Sequence, residues 1–152
     1  MYEDSKFMQP CTPQLALEVG ENLRDDDRRE VEQTMGLHAP VAVLQSYYNS
    51  AYGSVVYFHD GHGKAAGVAG VTPENIIWML CTPVIETKPH TFVRQAKRWL
   101  ESLPNPYVYN HADMRNESHI KLLKLLKFTF INYHVYNGVP LIEFIKLCAS
   151  QP

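Results

Sequence analysis

The sequence predicts one α/β (α+β) domain: a mixed, mostly antiparallel central sheet flanked by helices. Three observations carry that expectation. Residues 12–50 have helical patterning, β-branched and aromatic runs begin at Ser54, and from there short strands alternate with two amphipathic helical stretches before a closing hairpin at Asn137-Gly138. A chain of 152 residues and 17.4 kDa buries one sizeable core and is too short for two ordinary domains, so residues 1–152 are expected to form a single unit.

The first helix begins at Thr12-Pro13, where Thr12 caps and Pro13 occupies the first helical position without wasting an N–H. Leu15, Val19 and Leu23 share its inner face. Asp25-Asp26-Asp27 then place negative charge at the partly positive start of a second helix, which Gly36 ends. A third helix covers Pro40 to Tyr48, so that residues 12–50 read as a helical part. Val55 to Phe58, the turn Asp60-Gly61-His62-Gly63 and Ala65 to Val71 make a hairpin. Ile76 to Thr82 is a continuous apolar run suited to a central strand.

Pro89 to Leu103 is the clearest helix, with Phe92, Ala96, Trp99, Leu100 and Leu103 inward and Arg94, Lys97, Arg98 and Glu101 in solvent. A strand at Tyr107–Ala112, a helix at Asn116–Leu126 and a strand at Phe130–Tyr136 follow. Asn137-Gly138 tolerates the positive φ of a tight turn, and Val139 to Leu147 is the last strand.

Composition excludes several classes of function. A net charge of -2 and a pI near 6.4 do not suit a surface that neutralises many phosphates, so no nucleic-acid partner is expected. No run of about 18 apolar residues occurs, and Met1 to Lys6 carries acids without an apolar stretch, so neither membrane insertion nor export is expected. Cys11, Cys81 and Cys148 are odd in number and widely spaced, which fits a reducing cytoplasm.

Asn116 is followed at seven, eleven and twelve positions by Leu123, Lys127 and Phe128. With the β-α-β-α-β order of the second half, this resembles the GNAT N-acetyltransferases, whose pattern has Asn, then Tyr, Gly and Phe at those offsets. In that family the Tyr commonly protonates the departing coenzyme A thiolate, a task Leu123 cannot perform. The family also cradles the cofactor's pyrophosphate in a glycine-rich loop between the central strand and the long helix. Here that segment is Pro83-Val84-Ile85-Glu86-Thr87-Lys88-Pro89-His90, with no glycine between Gly70 and Gly138, two prolines lacking N–H donors, and the negative Glu86. No cofactor is expected on this count. If the loop is replaced by other contacts the cofactor is acetyl-CoA, and Thr87, Lys88, His90, Arg94 and Asn116 are the candidates to hold it.

Further pieces lie along the chain: Glu21-Asn22-Leu23-Arg24 with Asp27-Arg28-Arg29-Glu30-Val31, Gly67 to Val71, Ile77 to Thr82, Phe92-Val93-Arg94 with Lys97-Arg98-Trp99, then Asn110 with Arg115-Asn116, Ser118, Leu122 and Phe128. In this order they resemble the GNAT-like internal virion or assembly proteins of podovirus-type phages. The resemblance implies a non-catalytic role in virion morphogenesis, or as an internal head protein, through contacts with other phage virion or assembly proteins. A phage inhibitor of a host protein is a further alternative, as is a divergent acetyl-CoA-dependent N-acyltransferase. Location would be the host cytoplasm, with packaging in the virion under the assembly reading.

Among individual side chains, Asp113 is the best-placed general base, ahead of Glu74 and Glu86, because it ends a strand beside the expected cleft. Cys81 is a nucleophile only if His90 or His111 lies within reach, and otherwise an inert core thiol. His59, Asp60 and His62, with His111 and Asp113, have types that bind metal, but their place at a hairpin tip reads as turn chemistry and no metal is expected. Arg115, Lys121, Lys124 and Lys127 read as a solvated helix face. Tyr47, Tyr48, Tyr52, Tyr107, Tyr109, Tyr133 and Tyr136 are numerous enough to furnish a protein-binding surface.

Overall fold

The computed structural model describes residues 6 to 148; residues 1–5 and 149–152, including the acidic start of the chain, lie outside the described part. A short strand β1 (Met8–Pro10) opens it, followed by α1 (Pro13–Glu21), α2 (Asp25–Met35) and α3 (Ala39–Asn49). Then come β2 (Val56–His59), β3 (Ala65–Val71), β4 (Ile77–Cys81), α4 (Pro89–Ser102), β5 (Tyr107–Asp113), α5 (Glu117–Leu125), β6 (Thr129–Tyr136) and β7 (Val139–Leu147). All neighbouring strands within the two sheets run antiparallel.

The expected single sheet is divided. Strands β1-β2-β3-β4 form one sheet and β5-β7-β6 the other. One parallel bridge, Ile76 to Tyr109, joins them, with Tyr109 N–H donating to Asn75 O at 3.1 Å. Beyond that bridge β4 and β5 do not pair, so a gap separates their C-terminal ends.

Side-chain alternation gives the first sheet two apolar faces. Val56, Phe58, Ala69 and Cys81 pack toward the core that also holds Phe92, Trp99 and Leu100 of α4 and Leu122 of α5. Tyr57 and Val68 pack instead with Ala16, Val19 and Val43 of α1 and α3. Each fully buried large side chain of this kind contributes roughly 1.5–3 kcal/mol. Gly20 lets α1 approach α3, since a Cβ there would lie 2.7 Å from the Pro40 Cα.

Three local features add to the sequence expectations. Ahead of the helical part, Met8–Pro10 pairs with Val56–Phe58 as an edge strand; three residues are too few to leave a period in the sequence. The segment Pro83–Thr87 is a 3-10 turn capped by Thr82, whose Oγ1 accepts from Val84 N–H at 3.2 Å. Finally, Lys127 adopts the left-handed conformation (φ +69°) that a glycine would take without cost. Phe128 N–H donates to Leu123 O at 3.0 Å and Lys127 N–H to Lys124 O at 3.1 Å, which closes the end of α5.

Candidate functional site

The gap between β4 and β5 is the place where backbone chemistry is left open. Pairing with β3 turns the N–H and C=O groups of Ile77, Met79 and Cys81 away from β3 and toward the gap. Asn110 Nδ2 donates to Ile77 O at 2.7 Å. At the other end Cys81 N–H donates to Asp27 Oδ2 at 2.8 Å, and Cys81 O accepts from Arg24 N–H at 2.9 Å. Met79, between them, has no hydrogen-bond partner for either group among the described residues.

A cavity of about 510 Å³ adjoins this edge, a size suited to a small organic ligand. Met79, Trp78 and Leu80 line it from β4, Glu30 from α2, and His119 and Leu123 from α5. Its lining contains no Lys or Arg among the described residues. Trp78 is fixed by Nε1 donating to Ser50 Oγ at 2.8 Å.

His119 and Glu30 form the titratable pair of the cavity, with Nδ1 3.2 Å from Oε1. A carboxylate only accepts, so Nδ1 carries the proton, and Nε2 is the ring nitrogen with no hydrogen bond among the described residues. Burial disfavours the charged ring, but the adjacent Glu30 carboxylate outweighs it and raises the pKa of His119. Two more histidines line the cavity: His111, whose Nε2 lies 3.6 Å from Glu143 Oε2, and His134, edge-on to His111 at 5.0 Å between centroids. The arrangement can accept a proton at His119 and donate a backbone N–H at Met79.

Asn116 and Asp113, both 1% exposed, are anchors. Asn116 Oδ1 accepts from His119 N–H at 3.2 Å as the cap of α5, while Nδ2 donates to Asp27 Oδ1 at 2.8 Å and Glu30 Oε1 at 3.1 Å. Asp113 accepts from Arg115 Nε at 3.0 Å, Arg115 Nη2 at 2.7 Å and the Arg115 backbone at 2.9 Å. Burial works against its charge, yet these bonds hold its pKa below the ordinary value, which weakens it as a base. Cys81 is 1% exposed, and burial pushes its thiol far up, so it stays protonated.

Thr87, Lys88, His90 and Arg94 are exposed around the start of α4. Thr87 Oγ1 donates to Val84 O at 2.7 Å, and Lys88 Nζ donates to Asp60 O at 3.3 Å and sits over the Phe7 ring. None of these four, nor Asn116, Asp113 or Cys81, lines the large cavity. At the β2–β3 turn, Asp60 Oδ1 accepts from His62 N–H at 2.7 Å and Lys64 N–H at 3.1 Å, so this carboxylate shapes the turn. Glu74 and Glu86 are exposed. Lys121, Lys124 and Lys127 are in solvent, while Arg115 also reaches Gln33 Oε1. Tyr48, Tyr52, Tyr107, Tyr133 and Tyr136 are exposed; Tyr47 and Tyr109 are half-buried.

Sequence reasoning missed Glu30, Met79 and His119. His119 stands three positions after Asn116, the spacing that places both on one helix face, and that was the available signal. Met79 leaves no signal, because its free groups are backbone.

No protein-family model and no curated protein matches the chain. Solved structures do match. A GNAT-family acetyltransferase from Bacillus cereus has 11% identity and a TM-score of 0.63, covering 93% of this chain and 96% of its own. An N-acetyltransferase from Staphylococcus aureus has 14% identity and a TM-score of 0.62, covering 91% and 99%. A ribosomal alpha-N-protein acetyltransferase in complex with coenzyme A has 10% identity and a TM-score of 0.60, covering 97% of each chain. Among the described residues no helix is long and apolar enough to cross a membrane. At TM-scores of 0.60–0.63 over more than nine-tenths of the chain, these likenesses show that the chain has the fold of the GNAT N-acetyltransferases.

Proposed function

We propose that the chain is a divergent acyl-thioester-dependent N-acyltransferase whose transfer site is the cavity beside Met79. One observation carries this: the unpartnered N–H and C=O of Met79 face a gap that adjoins the cavity holding the His119–Glu30 pair. An acyl-coenzyme A, when bound, supplies an activated acyl carbonyl. Its acyl end fits the residues present, since Met79 N–H can donate to a carbonyl oxygen and Leu123 and Leu80 offer apolar walls. The diphosphate end fits poorly: Pro83 and Pro89 lack N–H donors and Glu86 is negative, although Lys88 and Arg94 offer positive charge.

As the amine nitrogen would replace sulfur on the acyl carbon, His119 would accept the amine proton at Nε2 and Glu30 would stabilise the resulting imidazolium, while the released thiolate would take its proton from solvent because Leu123 has none to give. A raised His119 pKa places the working range on the alkaline side of an ordinary histidine. Calorimetry with acetyl-CoA, coupled to thiol release in the presence of amines, tests the proposal. Binding in the micromolar range with turnover abolished in His119→Gln supports it. Binding without turnover at any pH removes the catalytic part.

A second reading has its own support. Cys81, at the end of the β4 edge, is occupied by Asp27 and Arg24, and the position of the family's acid is Leu123. Those features suit a non-catalytic GNAT-fold protein, and the sequence resemblance to phage internal virion or assembly proteins would make its role virion morphogenesis or that of an internal head protein. Exposed Tyr48, Tyr52 and Tyr133 offer contact area for such partners. Pull-down from infected cells separates this reading, which expects virion proteins, from inhibition of one host protein.

A further inference from the structure

We infer that the start of α2 is a reversible latch that holds the open end of the β4 edge shut. This rests on the proposal that an acyl thioester binds in the gap beside Met79. Of the three residues that turn their backbone toward the gap, Cys81 is closed off by α2 on both sides: N–H to Asp27 Oδ2 at 2.8 Å, and C=O from Arg24 N–H at 2.9 Å. The same carboxylate reaches across the gap, since Asp27 Oδ1 accepts from Asn116 Nδ2 at 2.8 Å. Asp27, 3% exposed, therefore ties the end of β4 to the start of α5, and a ligand that reads the edge past Met79 must displace it.

The anchor is polar, and so are the helix's other ties, from Glu30 to Asn116 and His119, from Glu32 to Ala39 N–H and from Gln33 to Arg115. Along the eleven residues of α2 only Asp27 and Val31 are buried. Segments with few buried apolar contacts open at low cost. Arg24 Nε is buried without a partner among the described residues, and its Nη2 lies 3.3 Å from both oxygens of Asp27, so the arginine's hydrogen-bonding capacity is only partly used in the closed position. A closed majority lowers apparent affinity by the fraction of molecules that are open.

Two measurements on the full chain test the latch. Asp27→Asn keeps one acceptor oxygen and loses one of the two ties, so acetyl-CoA is expected to bind about fivefold tighter or better by calorimetry. Asn116→Ser retains a capping oxygen for α5 but cannot span to Asp27, and shifts affinity in the same direction. In the unmodified chain, saturating acetyl-CoA is expected to speed hydrogen exchange of the α2 amides, a readout that needs no variant. Equal affinity in all three chains, with α2 exchange unchanged or slowed, overturns the latch and leaves the thioester proposal standing. Absence of binding in all three overturns both.

Discussion

Asp27 Oδ2 lies 2.8 Å from the backbone nitrogen of Cys81, 54 positions later in the chain, and this contact fastens a charged helix to the end of a buried strand. Asp27→Ala would leave Cys81 N–H, Asn116 Nδ2 and the Arg24 guanidinium without their acceptor. The expected loss in urea unfolding is ~3 kcal/mol or more, in the range for breaking a buried charged pair. A loss below ~1 kcal/mol would mean that Asp27 is not an anchor.

The pH dependence of stability follows from His119. Its folded pKa is raised, so the stabilisation is full below the unfolded value of about 6.5 and is lost as pH rises through the folded value. Unfolding of the wild-type chain should weaken across that window relative to His119→Gln. Parallel curves would show that the Glu30 contact is not an ion pair. Asp113 acts in the opposite direction: burial opposes its charge, but Arg115 outweighs that and lowers its pKa, so its contribution is present above the ordinary carboxylate range and lost as pH falls through the folded value.

At the end of α5, Lys127 holds φ +69° in solvent. Lys127→Gly removes a left-handed strain of about 1 kcal/mol and should raise the melting midpoint by about 2–4 °C. A lowered midpoint would show that the lysine side chain contributes more than its backbone costs.

Leu123 lines the cavity where the resemblance calls for a tyrosine. If the chain transfers acyl groups, Leu123→Tyr should raise thiol release from acetyl-CoA with an amine acceptor by about tenfold or more, at an overpacking cost of roughly 1–3 kcal/mol. Unchanged release in a folded variant would favour the non-catalytic reading.

Much of the architecture was legible from local pattern. Thr12-Pro13, Gly36 and Asn137-Gly138 mark element ends by their own backbone preferences, and Asn137 and Gly138 both have positive φ as expected (51° and 77°). Periodicity likewise identified the inner face of α4, with Phe92, Ala96, Trp99 and Leu100 buried. Of the candidate site, only the general region beside the central strand was visible. Asp113 looked available because its sequence position ends a strand, and its burial under Arg115 depends on the conformation of a neighbouring turn.

By itself, then, the amino-acid order determined the helices, the hairpins and the absence of a glycine cradle, because each is written in side-chain type and spacing over a few residues. Tertiary structure alone decided that the sheet divides beyond the Ile76–Tyr109 bridge, that Met79 keeps an open backbone edge, and that Glu30 meets His119. Those outcomes depend on which distant segments compete for the same hydrogen-bonding groups: Asp27 and Arg24 reach Cys81, and no residue described reaches Met79.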